Sequence, residues 1–76
     1  MALPAIGEEV TGGYKLLGSV MSAGGEQLVI AYNPVKDYEP FVSWRWDEYS
    51  ETPFSGHYVE NVVEAVEDAK HRAGVR

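Results

Sequence analysis

The 76-residue chain has no cysteine, only six lysine and arginine residues, and no apolar run longer than Leu28-Val29-Ile30-Ala31-Tyr32. Each shortage excludes something. Without cysteine no disulfide can brace so short a chain, and the two histidines, His57 and His71, lack the tight Cys/His spacing of a zinc site. Six basic residues against twelve acidic ones leave a net charge of −6, the wrong sign for direct binding of DNA or RNA. The apolar run is far below the ~20 residues of a membrane helix. The start of the chain, Met1-Ala2-Leu3-Pro4-Ala5-Ile6, has neither the basic region nor the apolar length of a signal peptide. A cytoplasmic location is therefore expected, with no membrane contact, and the lack of cysteine fits a reducing compartment. Internal repeats and low-complexity segments are absent too.

The residues that are there describe a folded chain. A composition 45% hydrophobic, 12% aromatic and 24% charged is that of one globular domain. A domain of this length buries only ~60% of the surface its unfolded chain exposes. A partner subunit is one way to complete the core.

Residues 1–13 carry Pro4, Gly7, Gly12 and Gly13 without a sustained period and read as an arm or loop, leaving 14–76 as the domain. Tyr14 to Val20 alternates weakly, with Tyr14, Leu16, Gly18 and Val20 on one side, and predicts a first strand. Ser22-Ala23-Gly24-Gly25 supplies hairpin residues. Gln27 to Tyr32 is a second strand whose consecutive apolar residues call for cover on both faces. Asn33-Pro34 stops it. Phe41 to Tyr49 is a third strand, with Val42, Trp44 and Trp46 on one face and Ser43, Arg45 and Asp47 on the other. Ser50 to Gly56 reads as a loop, and His57-Tyr58-Val59 as a short fourth strand.

The last segment has the marks of a helix. Asn61 stands as N-cap with Glu64 three positions on, Val62, Val66, Ala69 and Ala73 form a stripe that Val63 and Ala65 widen, and Gly74 sits where a helix ends. Acids at its start and bases at its end match the helix dipole, with Glu67–His71 and Asp68–Arg72 spaced to pair. The fold class is α+β: a three- or four-stranded antiparallel meander followed by one C-terminal helix packed on one face. The helix is expected on the Val42/Trp44/Trp46 side. The arm or a second copy of the chain would then cover the rest, so a homodimer is also expected.

Catalytic chemistry finds little support in these residues. Ser55-Gly56-His57 places a hydroxyl near an imidazole, but a triad is defined by geometry, and a turn leading into a histidine explains the same residues. No Walker A, G-x-S-x-G or G-x-G-x-x-G motif is present. His57, Glu60 and His71 do not make a metal-ligand pattern, and the adjacent acids Glu8-Glu9, Asp47-Glu48 and Glu67-Asp68 lack the pocket that would raise a carboxyl pKa. No enzyme activity, cofactor or metal is expected. Trp44 and Trp46 would suit base stacking only in a positive groove; with so few bases nearby they read as core.

Charge is distributed unevenly. Asp37 to Asp68 holds nine acids and one base, a balance of −8, while the remaining residues sum to +2. Tyr38, Tyr49, Phe54 and Tyr58 are interleaved with those acids. One reading is a solvated face that keeps a small protein soluble. The other is a binding surface for a basic protein whose own positive groove receives nucleic acid. Its residues would be Asp47, Glu48, Tyr49, Glu51, Glu60, Glu64, Glu67 and Asp68.

A small, acidic, cysteine-free domain with these acids, Asp47-Glu48-Tyr49-Ser50-Glu51 and those of Glu60 to Asp68, resembles the phage-encoded anti-CRISPR proteins in size, charge and lack of a catalytic motif. The resemblance implies a stoichiometric, non-enzymatic inhibitor that binds a CRISPR surveillance complex, or a similar DNA-binding machine, near its DNA path. A different class of function also fits: a small dimeric regulatory or scaffolding domain acting through its apolar strand face.

Overall fold

Alternation and turn residues organise the chain into β1 (Glu9–Thr11), β2 (Tyr14–Met21), β3 (Gln27–Tyr32), β4 (Phe41–Asp47), β5 (Thr52–Val59) and the helix α1 (Val62–Arg72). This is a computed structural model, which describes residues 3–22 and 24–74. Ala23 of the expected hairpin turn lies outside the described residues. The strands form one five-stranded sheet in the order β1-β2-β3-β4-β5, every neighbouring pair antiparallel. The expected α+β meander with a C-terminal helix is therefore present, with five strands rather than three or four. The segment read as an arm contributes β1, and β5 takes in Thr52 to Gly56, which read as loop.

Bulges explain why those strands escape a simple alternation. Leu16 pairs with Ala31 but Gly18 with Ile30, so Leu17 is an extra residue and the two halves of β2 serve opposite faces. Tyr14 and Leu16 lie in one core, whereas Val20 packs against the other, which corrects their placement on a single side. In β5, Phe54 pairs with Arg45 and His57 with Ser43, leaving Ser55 and Gly56 opposite Trp44 alone. Ser55 takes the left-handed conformation (φ 57°) that such a bulge uses.

The bulges help the sheet curl into a half-barrel with a core on each face. Tyr14, Leu16, Val29, Ala31, Val42, Trp44 and Trp46 fill the concave side, where Leu3 and Val10 pack against them. Tyr14 meets Trp44 edge-on (centroids 5.3 Å apart), and Trp44 meets Tyr58 edge-on at 6.3 Å. A Cβ on Gly56 would stand 2.5 Å from the Trp44 indole nitrogen, so only glycine lets the indole lie against β5.

The helix is on the other side. Ala65, Ala69 and Ala73 pack with Leu28 and Ile30 on the convex face, flanked by Val20, Phe41, Val59 and Val66. This corrects the expectation that α1 covers Val42, Trp44 and Trp46: the curl already encloses that side, and both tryptophans are buried. Of the widened apolar stripe, Val62 and Val63 are exposed while Ala65 is buried. The helix is capped as expected, with Asn61 Oδ1 accepting from Glu64 N at 2.9 Å and Gly74 at φ 79° beyond Arg72. Because α1 covers one face of β3 and the curl, with Leu3 and Val10, the other, the apolar second strand needs no second copy of the chain.

Gly56→Ala is expected to lower stability by about 2 kcal/mol, because overpacking beside a buried indole forces backbone or rotamer shifts. Urea unfolding checks it, and an unchanged midpoint would show that Trp44 does not rest on β5.

Candidate functional site

Where the acids fall is decided by the β4–β5 ladder. Asp47 pairs with Thr52 at one end and Phe41 with Val59 at the other, a span of about 20 Å for strands of this length. Asp47, Glu48, Tyr49 and Glu51 therefore lie at one end. Glu60 and the start of α1, with Glu64, lie at the other, and Glu67 and Asp68 follow along the helix. The eight residues expected to share one surface do not form a single patch.

Three of the carboxylates are engaged by the fold. Asp47 accepts from Tyr49 N (3.0 Å) and from the Ser50 hydroxyl (2.9 Å), and Ser50 Oγ lies 2.7 Å from Thr52 Oγ1. The Ser50 hydroxyl and then the Tyr49 N–H hold the Asp47 carboxyl below its ordinary value. Glu60 Oε2 accepts from Glu39 N at 3.2 Å and ties the loop after β3 to the end of β5. Asp68 is turned toward donors: both its oxygens lie 3.0 Å from His57 Nδ1, and Arg72 Nη1 is 3.5 Å from Oδ2. Among the described residues, Glu48, Glu51, Glu64 and Glu67 enter no ion pair or hydrogen bond through their side chains; the expected Glu67–His71 pair is not among the contacts.

Around Asp68 the fold builds a clamp between helix and sheet. The Arg72 guanidinium donates to Ser43 O at 2.9 Å and to Ser55 O, stitching α1 to β4 and to the bulge of β5. Ser43, His57 and Asp68 thus come together, yet not in the wiring of a nucleophilic triad. The Ser43 side chain is fully buried and accepts from Arg72, whereas a nucleophile must hand its proton to the imidazole. Ser55, the hydroxyl singled out by spacing, meets Arg72 through its carbonyl while His57 turns to Asp68. Among the described residues, no three His, Asp or Glu side chains are placed to hold a metal, and no helix is long and apolar enough to cross a membrane.

The sequence gives no hint of one feature, a groove beside the β4–β5 turn. Gly25, Glu26 and Gln27 form one wall and Trp46, Asp47, Glu48, Tyr49 and Phe54 the other, around about 230 Å³. Glu26 of the first wall pairs with Arg45. Gln27 and Trp46 are cross-strand partners, so pairing brings together residues far apart in the chain. At the sheet's other end, Lys36 Nζ donates to the Tyr14 hydroxyl at 3.0 Å and lies 5.0 Å from the Tyr58 ring centroid. It sits 5.7 Å from the Tyr14 centroid, beyond the ring's rim, so its π contact is with Tyr58. The Tyr14 hydrogen bond raises the Lys36 pKa.

Compared with known proteins, the chain matches no family model, no curated protein and no solved structure.

Burial pulls the Asp68 pKa up, but hydrogen bonds from His57 and Ser43 and the charges of His57 and Arg72 outweigh it, leaving the carboxyl below its ordinary value. A depressed folded value means the contribution is present above the unfolded pKa of about 3.9 and is lost as pH falls through the folded one. Asp68→Asn is therefore expected to be about 1 kcal/mol less stable than the parent at neutral pH, a figure discounted for partial exposure. The gap should narrow as pH falls below the unfolded value and close below the folded one. Urea midpoints for both proteins across that range measure it, and a gap constant with pH would refute the clamp.

Proposed function

We propose that the chain is a non-catalytic, stoichiometric inhibitor that binds a basic nucleic-acid-binding protein or complex and competes there with nucleic acid. A CRISPR surveillance complex is the partner to which the phage anti-CRISPR resemblance points. The supporting observation is the turn between β4 and β5. Tyr49 is 100% exposed there, between the uncommitted carboxylates Glu48 and Glu51, on a backbone pinned by Asp47. An exposed aromatic in a field of one sign, on a backbone already held, costs less entropy to bury against a partner and is steered toward a positive groove. The acting surface narrows to Glu48, Tyr49 and Glu51, with Asp47 holding the turn. Glu64 and Glu67 add to the long-range field from the helix.

The dimeric regulatory reading needs an open apolar strand face, and β3 has none left. Sedimentation over a wide concentration range is expected to give the monomer mass; a dimer would restore that reading.

Reversing both Glu48 and Glu51 to lysine is expected to weaken competition with DNA at least about tenfold, and raising salt should weaken it as well. Reversing Glu64 and Glu67 should cost less. A competition assay with correctly folded variants decides: inhibition that survives the turn reversals, or that ignores salt, contradicts the proposal.

A further inference from the structure

The groove beside the turn has walls of a particular chemistry. Trp46, Tyr49 and Phe54 supply aromatic surface, and Glu26, Asp47 and Glu48 supply three carboxylates, of which Glu26 is paired with Arg45. At about 230 Å³ it falls below the ~300–1,000 Å³ of sites that enclose a whole small molecule. A single long side chain is the better match in size. From the charge balance and the aromatic walls we infer that the groove receives an arginine side chain of the protein partner. This inference rests on the inhibitor reading above and names what the partner contributes to it.

Arginine fits better than lysine for physical reasons. Its planar, weakly hydrated guanidinium stacks on aromatic faces and forks onto a carboxylate, whereas an ammonium is a compact, strongly hydrated charge. One lining carboxylate already shows this chemistry, since Glu26 holds the guanidinium of Arg45. The carboxylate left for an incoming side chain is Glu48, which has no ion-pair partner among the described residues. The Asp47 oxygens accept from Tyr49 N and the Ser50 hydroxyl, and each retains a lone pair for a further donor. Its carboxyl stays ionised, because those two hydrogen bonds lower its pKa. Tyr49 lies at the junction of groove and turn, so an arginine entering the groove would bring its main chain against the proposed binding turn.

The test uses the whole protein and short peptides that carry one arginine, or one lysine in its place. Binding is followed through the indole N–H signals of Trp46, in the groove, and Trp44, in the closed core. The arginine peptide is expected to shift the Trp46 signal saturably, leave Trp44 in place, and bind at least about fivefold tighter than the lysine peptide. Glu48→Gln, on a fully exposed turn where refolding is not at stake, should weaken binding about fivefold. A silent Trp46, equal binding of the lysine peptide, or an unaffected Glu48→Gln variant would each overturn the inference. No partner takes part in this titration, so it separates from the inhibitor reading. Arginine binding without loss of DNA competition in the turn reversals would sink that reading alone, and a silent groove with competition lost would sink this inference alone.

Discussion

Tyr14 and Tyr58 come from strands three positions apart in the sheet, yet their ring centroids are 5.9 Å apart. In a flat sheet three strand spacings would separate them by about 14 Å. That contact defines the curl, and Trp44, edge-on to both rings, is the wedge around which the sheet folds. Every special feature of the β4–β5 ladder serves it. The bulge at Ser55 and Gly56 sits opposite Trp44, and the missing Cβ of Gly56 lets the indole approach. Lys36 then fastens the two tyrosines from the solvent side. A chain too short for two full layers thus makes one layer enclose its own aromatic core.

Once the concave face closes on itself, the helix is left with the convex one. Three alanines let it come close to Leu28 and Ile30, and the last turn is locked by Arg72 onto β4 and β5. That lock consumes Asp68, and the loop after β3 consumes Glu60. The arrangement of the core therefore determines which carboxylates stay unengaged. Those at the β4–β5 turn stand beside an exposed aromatic and a groove, a combination that the helix acids lack.

Much of this was legible in the residues. Gln27–Tyr32 needed cover on both faces and has it; Asn61 and Gly74 bound the helix as their chemistry requires; Trp44 and Trp46 share a buried face with Val42. The departures have separate physical causes. A one-residue bulge inverts the parity of everything beyond it, so Val20 and the first half of β5 could not be assigned by alternation. The helix lies on the face opposite the expected one because a sheet that covers its own tryptophans leaves no mark in periodicity. The acidic surface was legible as composition but not as geometry, since a strand of eight residues keeps Glu51 and Glu60 at opposite ends of the molecule. The groove depends on the pairing of Gln27 with Trp46, which no local pattern announces.

The most direct measurement is a nuclear Overhauser spectrum of the aromatic region. If the curl exists as described, cross-peaks connect the ring protons of Tyr14 with those of Tyr58, and both rings with the Trp44 indole. Rings that each contact only their sheet neighbours, with no Tyr14–Tyr58 cross-peak, would mean an open sheet, an unfilled concave face and a different set of free carboxylates.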